Sequence, residues 1–219
     1  MKIVDDLKLY VKYASVCAQS VMQYKASFLL MILGRFLVAF GEFAAVRFLF
    51  SGITQIRGYT YGDILLCFSL IQMSFSLAEL FGNGFKTFSG MVRRGEFDRI
   101  LLRPRGLLLQ VTGSRFEVGR MGPLLTALLT LALGIKNSNV RWDPLRIWTA
   151  AAMLVGGTLL FAALFILEAS LCFFSIEDTS LVNVLTYGAK FHGKYPMDIY
   201  GKGVLRFGTW VIPYALIQY

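Results

Sequence analysis

Two groups of ionisable residues in this sequence are placed to do chemistry, and neither has the pattern of a catalytic site. The first is Arg35, Glu42, Glu79 and Glu168, each set within or at the edge of a long apolar run. A charge at the centre of a bilayer costs at least about 2.5–3.5 kcal/mol, so such a residue usually faces a partner or a wet cavity. One reading is a polar path or an ion pair between helices. The other is that Glu79 and Glu168 lie near helix ends and reach water. Arg35 and Glu42 share a helix face but stand about 10 Å apart along the axis, so direct pairing needs a third residue. The second group lies between Lys86 and Arg105. It has six basic residues (Lys86, Arg93, Arg94, Arg99, Arg103, Arg105) against two acids (Glu96, Asp98). Its chemistry is recognition rather than bond breaking.

Nucleotide and hydrolase chemistry is missing from the pattern. A phosphate-binding loop needs Gly-x-x-x-x-Gly-Lys-Ser/Thr. Gly82-Asn83-Gly84-Phe85-Lys86-Thr87 only echoes it, because no glycine precedes the lysine. There is no Gly-x-Ser-x-Gly and no His-Glu-x-x-His. His192 is the single histidine, and Cys17, Cys67 and Cys172 are isolated within or beside apolar runs, with no metal-ligand spacing. No metal site and no cofactor in this chain are expected.

The elements that carry these residues follow from composition. Of 219 residues, 56% are hydrophobic and 16% charged, against about 25% charged in soluble domains. The apolar residues come in runs long enough to cross a bilayer. The net charge of +9 then marks loops held on the cytoplasmic side. Nucleic-acid binding needs basic charge on a soluble surface, and little such surface is available.

Residues 1–26 read as an amphipathic helix in the membrane interface, with Ile3, Leu7, Tyr10, Val11 and Ala14 at helical spacing. Spanning helices are expected over 27–50, 61–82, 114–135 and 147–176, with Gly82-Asn83-Gly84 breaking the second. Trp142 and Trp148 suit an aromatic interface. The segment 179–219 reads as a short fifth helix followed by a re-entrant outer piece. No removable signal peptide is expected at the start. If the positive-inside rule holds, the 86–106 loop is cytoplasmic, and so is the N-terminus, two spans earlier.

Within that loop Phe97, Ile100 and Leu101 fall at i, i+3 and i+4 and share one helical face. Pro104 cannot continue the hydrogen-bond ladder and ends the helix. A short helix with apolar anchors and a ring of charge suits a groove in a soluble partner, or anionic lipid headgroups, where each cation contributes about 1 kcal/mol.

The stretch Phe88 to Pro104 carries a family resemblance. Its Gly95-Glu96-Phe97-Asp98 step and Leu101-Leu102-Arg103-Pro104 end resemble the loop between the second and third spans of ABC-2 type export permeases. The resemblance is narrower to small permeases that work with a second permease and a separate ATPase. Tyr59-Thr60-Tyr61-Gly62-Asp63, Tyr195-Pro196-Met197-Asp198-Ile199-Tyr200 and Val211-Ile212-Pro213-Tyr214-Ala215 also match, so the likeness covers most of the chain. It implies an all-α polytopic membrane protein with four transmembrane helices, a fifth or re-entrant segment, and no usual last helix, since such permeases cross once more beyond this point. It also implies an ATPase contact through Arg93, Arg94, Gly95, Glu96, Phe97, Asp98, Arg99, Arg103 and Pro104, with Glu177 and Asp178 as a second contact.

The expected function is therefore the membrane-spanning permease subunit of an ATP-driven ABC exporter in the inner or plasma membrane. Its expected partners are an ABC ATPase dimer, a second permease subunit and membrane lipid. ATP and Mg would be bound by the ATPase. Two rivals stand beside this reading: a membrane scaffold or assembly protein without a transport role, and an intramembrane lipid-modifying enzyme.

Overall fold

The computed structural model describes residues 2–138, 140–174, 180–210 and 213–214. Glu177 and Asp178 lie outside the described residues, as do Val211, Ile212 and Ala215 of the last matching motif.

Ten α-helices are described: α1 (Lys2–Met22), α2 (Lys25–Gly52), α3 (Tyr61–Lys86), α4 (Phe88–Arg93), α5 (Glu96–Leu101), α6 (Leu107–Ser114), α7 (Met121–Asn137), α8 (Pro144–Leu171), α9 (Ser180–His192) and α10 (Lys202–Trp210). Four helical segments are long and apolar enough to cross a membrane, and they contain α2, α3, α7 and α8. A two-stranded hairpin, β1 (Gln55–Ile56) and β2 (Tyr59–Thr60), joins α2 to α3. Its turn residues Arg57 (φ 49°) and Gly58 (φ 90°) both take positive φ, as a two-residue hairpin turn with the right twist demands.

Helix α3 is the hub. It packs against α7, α8 and α6. Its start is fixed by a capping box in which the Thr60 hydroxyl accepts from the Asp63 backbone N–H and the Asp63 carboxylate accepts from the Thr60 N–H. One face of α3 places Ile71, Phe75 and Ala78 against Phe161, Leu164 and Phe165 of α8. Near the hairpin, Ile64, Leu65 and Phe68 meet Val46 and Phe50 of α2. Helix α2 also packs on α7 and buries Ala39, but its outer face is bare: Leu29, Leu30, Leu33, Leu37, Val38 and Phe48 are exposed, as a surface facing lipid or another membrane helix requires.

The expected bounds of three spans need correction. Gly82-Asn83-Gly84 does not break the second span, because α3 runs on to Lys86 with all three residues buried. A Cβ on Gly84 would lie 1.8 Å from the Val111 carbonyl oxygen of α6. The glycine therefore serves close helix approach, and packing overrides its poor helix propensity. The third span does not start at 114. Helix α6 ends at Ser114, a short 3₁₀ turn covers Val118–Arg120, and α7 begins at Met121. Pro123 is the reason, since proline is tolerated only in a helix's first turn. The fourth span starts earlier than expected, with Asp143 as N-cap and Pro144 in the first turn, and its helix ends at Leu171 rather than 176.

Helix α1 lies at the end of the bundle that holds α4–α6. Tyr10 Oη donates to the Phe81 carbonyl at 3.4 Å, and the Tyr13 ring covers Gly113 of α6. At the opposite end, Arg57 donates to the Asp198 carbonyl oxygen, and Tyr59 Oη donates to the Asp198 carboxylate at 3.2 Å. The segment after α9 is thereby tied to the hairpin.

Candidate functional site: a buried ion network and a basic end

The helical period of α3 sets Gln72, Phe75, Glu79, Gly82, Asn83 and Lys86 along one stripe. Glu79 is fully buried. Arg120, in the turn before α7, donates from Nη2 to Glu79 Oε1 at 2.7 Å, and its Nε stands 2.6 Å from Oε2 as a close ion contact. Two guanidinium nitrogens thus face one carboxylate, an arrangement that suits arginine to a buried acid. The Lys86 ammonium donates to Glu79 Oε1 and to Tyr187 Oη of α9. Beside this triad, Arg35 Nη1 pairs with Glu117 Oε1 at 2.6 Å, and Asn83 Nδ2 donates to Glu117 Oε2 at 2.9 Å. The network ties α2, α3, α9 and the α6–α7 connection together in a setting where an unpaired charge is costly.

A second pair lies closer to the hairpin. Lys194 Nζ meets Glu42 Oε2 at 2.7 Å and lies over the rings of Phe191 and Phe68. Between the two pairs is a groove of about 300 Å³, lined by Gly34, Arg35, Val38, Ala39 and Glu42 of α2, Gln72 of α3, Arg120, Pro123 of α7 and Lys190 of α9. The Lys190 ammonium stands 4.9 Å from the Phe75 ring centre.

The basic end is built differently. Gly95, in the left-handed region at φ 67°, turns the chain between α4 and α5. Arg94 Nε donates to Glu96 Oε1 at 2.6 Å across that turn. The guanidinium holds the Glu96 carboxyl below its ordinary range, and the carboxylate holds Arg94 above its own. Phe97 and Ile100 pack inward. Phe97 stacks edge-on against Phe88 and Phe173 at 5.1 and 5.6 Å, and Ile100 joins Met91, Val111, Ala169 and Cys172. This corrects the expected shared face, because only Leu101 of the three stays outside, alongside Leu102 at 86% exposure. The reason is that α5 is six residues long and lies on α6 and the end of α8, which already take up its inner side. Asp98, Arg99, Arg103 and Pro104 surround the two leucines on the exposed side.

Of the four ionisable residues singled out in the spans, the structure brings Arg35 and Glu42 to one groove and links Glu79 to it through Arg120. Glu79 does not reach water. Glu168 is buried on α8 but does not line the groove, and its Oε2 has no hydrogen-bond partner among the described residues. Arg35 and Glu42 do not pair with each other, as their spacing required; each has a separate partner. Sequence reasoning missed Gln72, Glu117, Arg120, Lys190 and Lys194 as site residues. The available signal was charge balance: buried carboxylates demand nearby cations, and Arg120, Lys190 and Lys194 were the unassigned ones beside apolar runs. Among the described residues, no three His, Cys, Asp or Glu side chains cluster as a metal site would require.

The model for ABC-2 family transporter protein matches residues 36–219, and the chain belongs to that family. No curated protein and no solved structure matches it. A multi-pass membrane transporter permease is the description that the family and the four apolar helices give together.

Proposed function

From that family membership, we propose that the chain is the membrane subunit of an ATP-driven exporter, working with a second permease and with an ATPase that docks under α4 and α5. The observation that carries the reading is the pair Leu101 and Leu102, exposed at the end of α5 among Asp98, Arg99, Arg103 and Arg105. Large apolar side chains ringed by charge are the signature of a docking surface. Firm packing of Phe97 and Ile100 beneath them gives a stiff lever that passes a push from below to α8 and α6. In this reading the N-terminus and the basic end lie in the cytoplasm, in line with the positive-inside rule. ATP and Mg belong to the separate ATPase, and the intramembrane groove is part of the path.

Co-purification tests it. The tagged wild-type chain should recover the ATPase made with it, and a variant with Glu96→Lys and Asp98→Lys should lose most of that recovery. Equal recovery by both would overturn the coupling surface.

A further inference from the structure

We infer that the groove between α2, α3, α7 and α9 binds a phosphate-type oxyanion, such as the headgroup of an anionic amphiphile. The inference names the cargo class of the transporter proposed above, and so rests on that reading.

Charge comes first. Three cations line the groove, Arg35, Arg120 and Lys190, against one carboxylate, Glu42. The neighbouring carboxylates are already engaged: Glu117 by Arg35, Glu79 by Arg120 and Lys86, and Glu42 by Lys194. Lys190 lines the same groove, with its ammonium 4.9 Å from the Phe75 ring centre and 5.7 Å from that of Phe191. Yet it has no carboxylate within salt-bridge distance among the described residues, and it is only 8% exposed. An ammonium left over in a buried site needs an anion or must lose its proton.

The neutral groups fit the same ligand. Gln72 is 1% exposed and its Oε1 has no hydrogen-bond partner among the described residues. It can accept from a hydroxyl beside the phosphate, as a glycerol headgroup supplies. A volume of about 300 Å³ is at the lower end for a ligand pocket, enough for a headgroup but not for acyl chains. The α2 wall gives those chains a place, because Val38 lines the groove and continues into the exposed apolar surface of Leu33 and Leu37. At Gly34 an added Cβ would meet nothing within 4 Å, so the space in front of it is open.

The test is equilibrium binding of fluorescent phosphatidylglycerol to the purified full chain in neutral detergent, without ATP or ATPase. A failure here therefore leaves the coupling reading standing. Lys190→Gln should weaken binding about 10-fold or more, the loss of one charge-assisted hydrogen bond, and Lys190→Arg should restore it. Gly34→Leu keeps every charge and fills the groove, and should weaken binding as much. Lys136→Gln, exposed in the last turn of α7, should bind as wild type. Unlabelled phosphatidylglycerol should compete and phosphatidylcholine should not. Competition by inorganic phosphate equal to that of phosphatidylglycerol would support the oxyanion site and make its ligand a water-borne anion. Wild-type affinity in both Lys190→Gln and Gly34→Leu, or equal competition by phosphatidylcholine, would overturn the inference.

Discussion

Arg120 holds Glu79 through one hydrogen bond, Nη2 to Oε1 at 2.7 Å, and one close ion contact, Nε to Oε2 at 2.6 Å. The pair joins the turn before α7 to the middle of α3, and Lys86 adds a third charge from α3 itself. Removing one partner of a buried pair leaves the other charge stranded, at a cost of about 3–5 kcal/mol. Glu79→Gln and Arg120→Leu should each lower the unfolding midpoint in detergent. The double variant should lose clearly less than the two single losses added together. Strict additivity would show that the two side chains do not act as a unit.

Close approach of α3 to α6 depends on Gly84. A Cβ there would lie 1.8 Å from the Val111 carbonyl oxygen, which is backbone and cannot swing away. Gly84→Ala should destabilise by about 1–3 kcal/mol, the usual range for overpacking. At Gly41 of α2 a Cβ would meet nothing within 4 Å, so Gly41→Ala should be tolerated. Thermal melts of the two variants side by side check this; a similar loss at both positions would contradict the packing.

The turn between α4 and α5 should respond to acid. Glu96 has a lowered folded pKa because Arg94 hydrogen-bonds its carboxylate. A depressed carboxyl contributes stability that is present above its unfolded value, about 4.3, and is lost as pH falls through the folded one. Amide protection over residues 95–97, corrected for intrinsic exchange, should therefore drop on acidification in the wild type. In Glu96→Gln it should already be low and change little. Identical profiles would remove the ion pair from the account of this turn.

Much of the architecture was legible because it rests on run length. Four apolar stretches gave four helices, and Pro104 marks where α5 must stop; the start signal at Asp143-Pro144 was passed over, and the fourth helix was expected only from 147. The 86–106 loop was legible as carrying a short helix by its i, i+3, i+4 pattern. Which side faced the protein was not, because Phe97 and Ile100 are claimed by Phe88, Phe173 and Met91, residues on other elements. Gly82 and Gly84 misled for a related reason: locally they read as a break, while the tight contact that explains Gly84 comes from α6. The groove was the least legible part. Arg120 and Lys190 lie seventy residues apart in sequence, and nothing local announces that both turn toward Gln72. Only charge balance connects them.

The exposed leucines give the docking surface its sharpest prediction about specificity. Leu102 is 86% exposed and packs on little of its own chain, so Leu102→Asp should leave the unfolding free energy within about 0.5 kcal/mol of wild type, as surface changes do. It should nonetheless reduce ATPase recovery several-fold. A fall in stability as large as the loss of recovery would make Leu102 a packing residue instead.

Site-directed cross-linking reads the coupling contact most directly. The background replaces Cys17, Cys67 and Cys172 by alanine, and one cysteine is introduced by Leu102→Cys or, at the opposite end of the bundle, by Leu145→Cys. Both positions are exposed. In membranes that also hold the ATPase, a short thiol cross-linker should join the Leu102→Cys variant to the ATPase and leave the Leu145→Cys variant unjoined. Equal yields from the two variants, or an adduct from Leu145→Cys alone, would contradict an ATPase seated beneath α5.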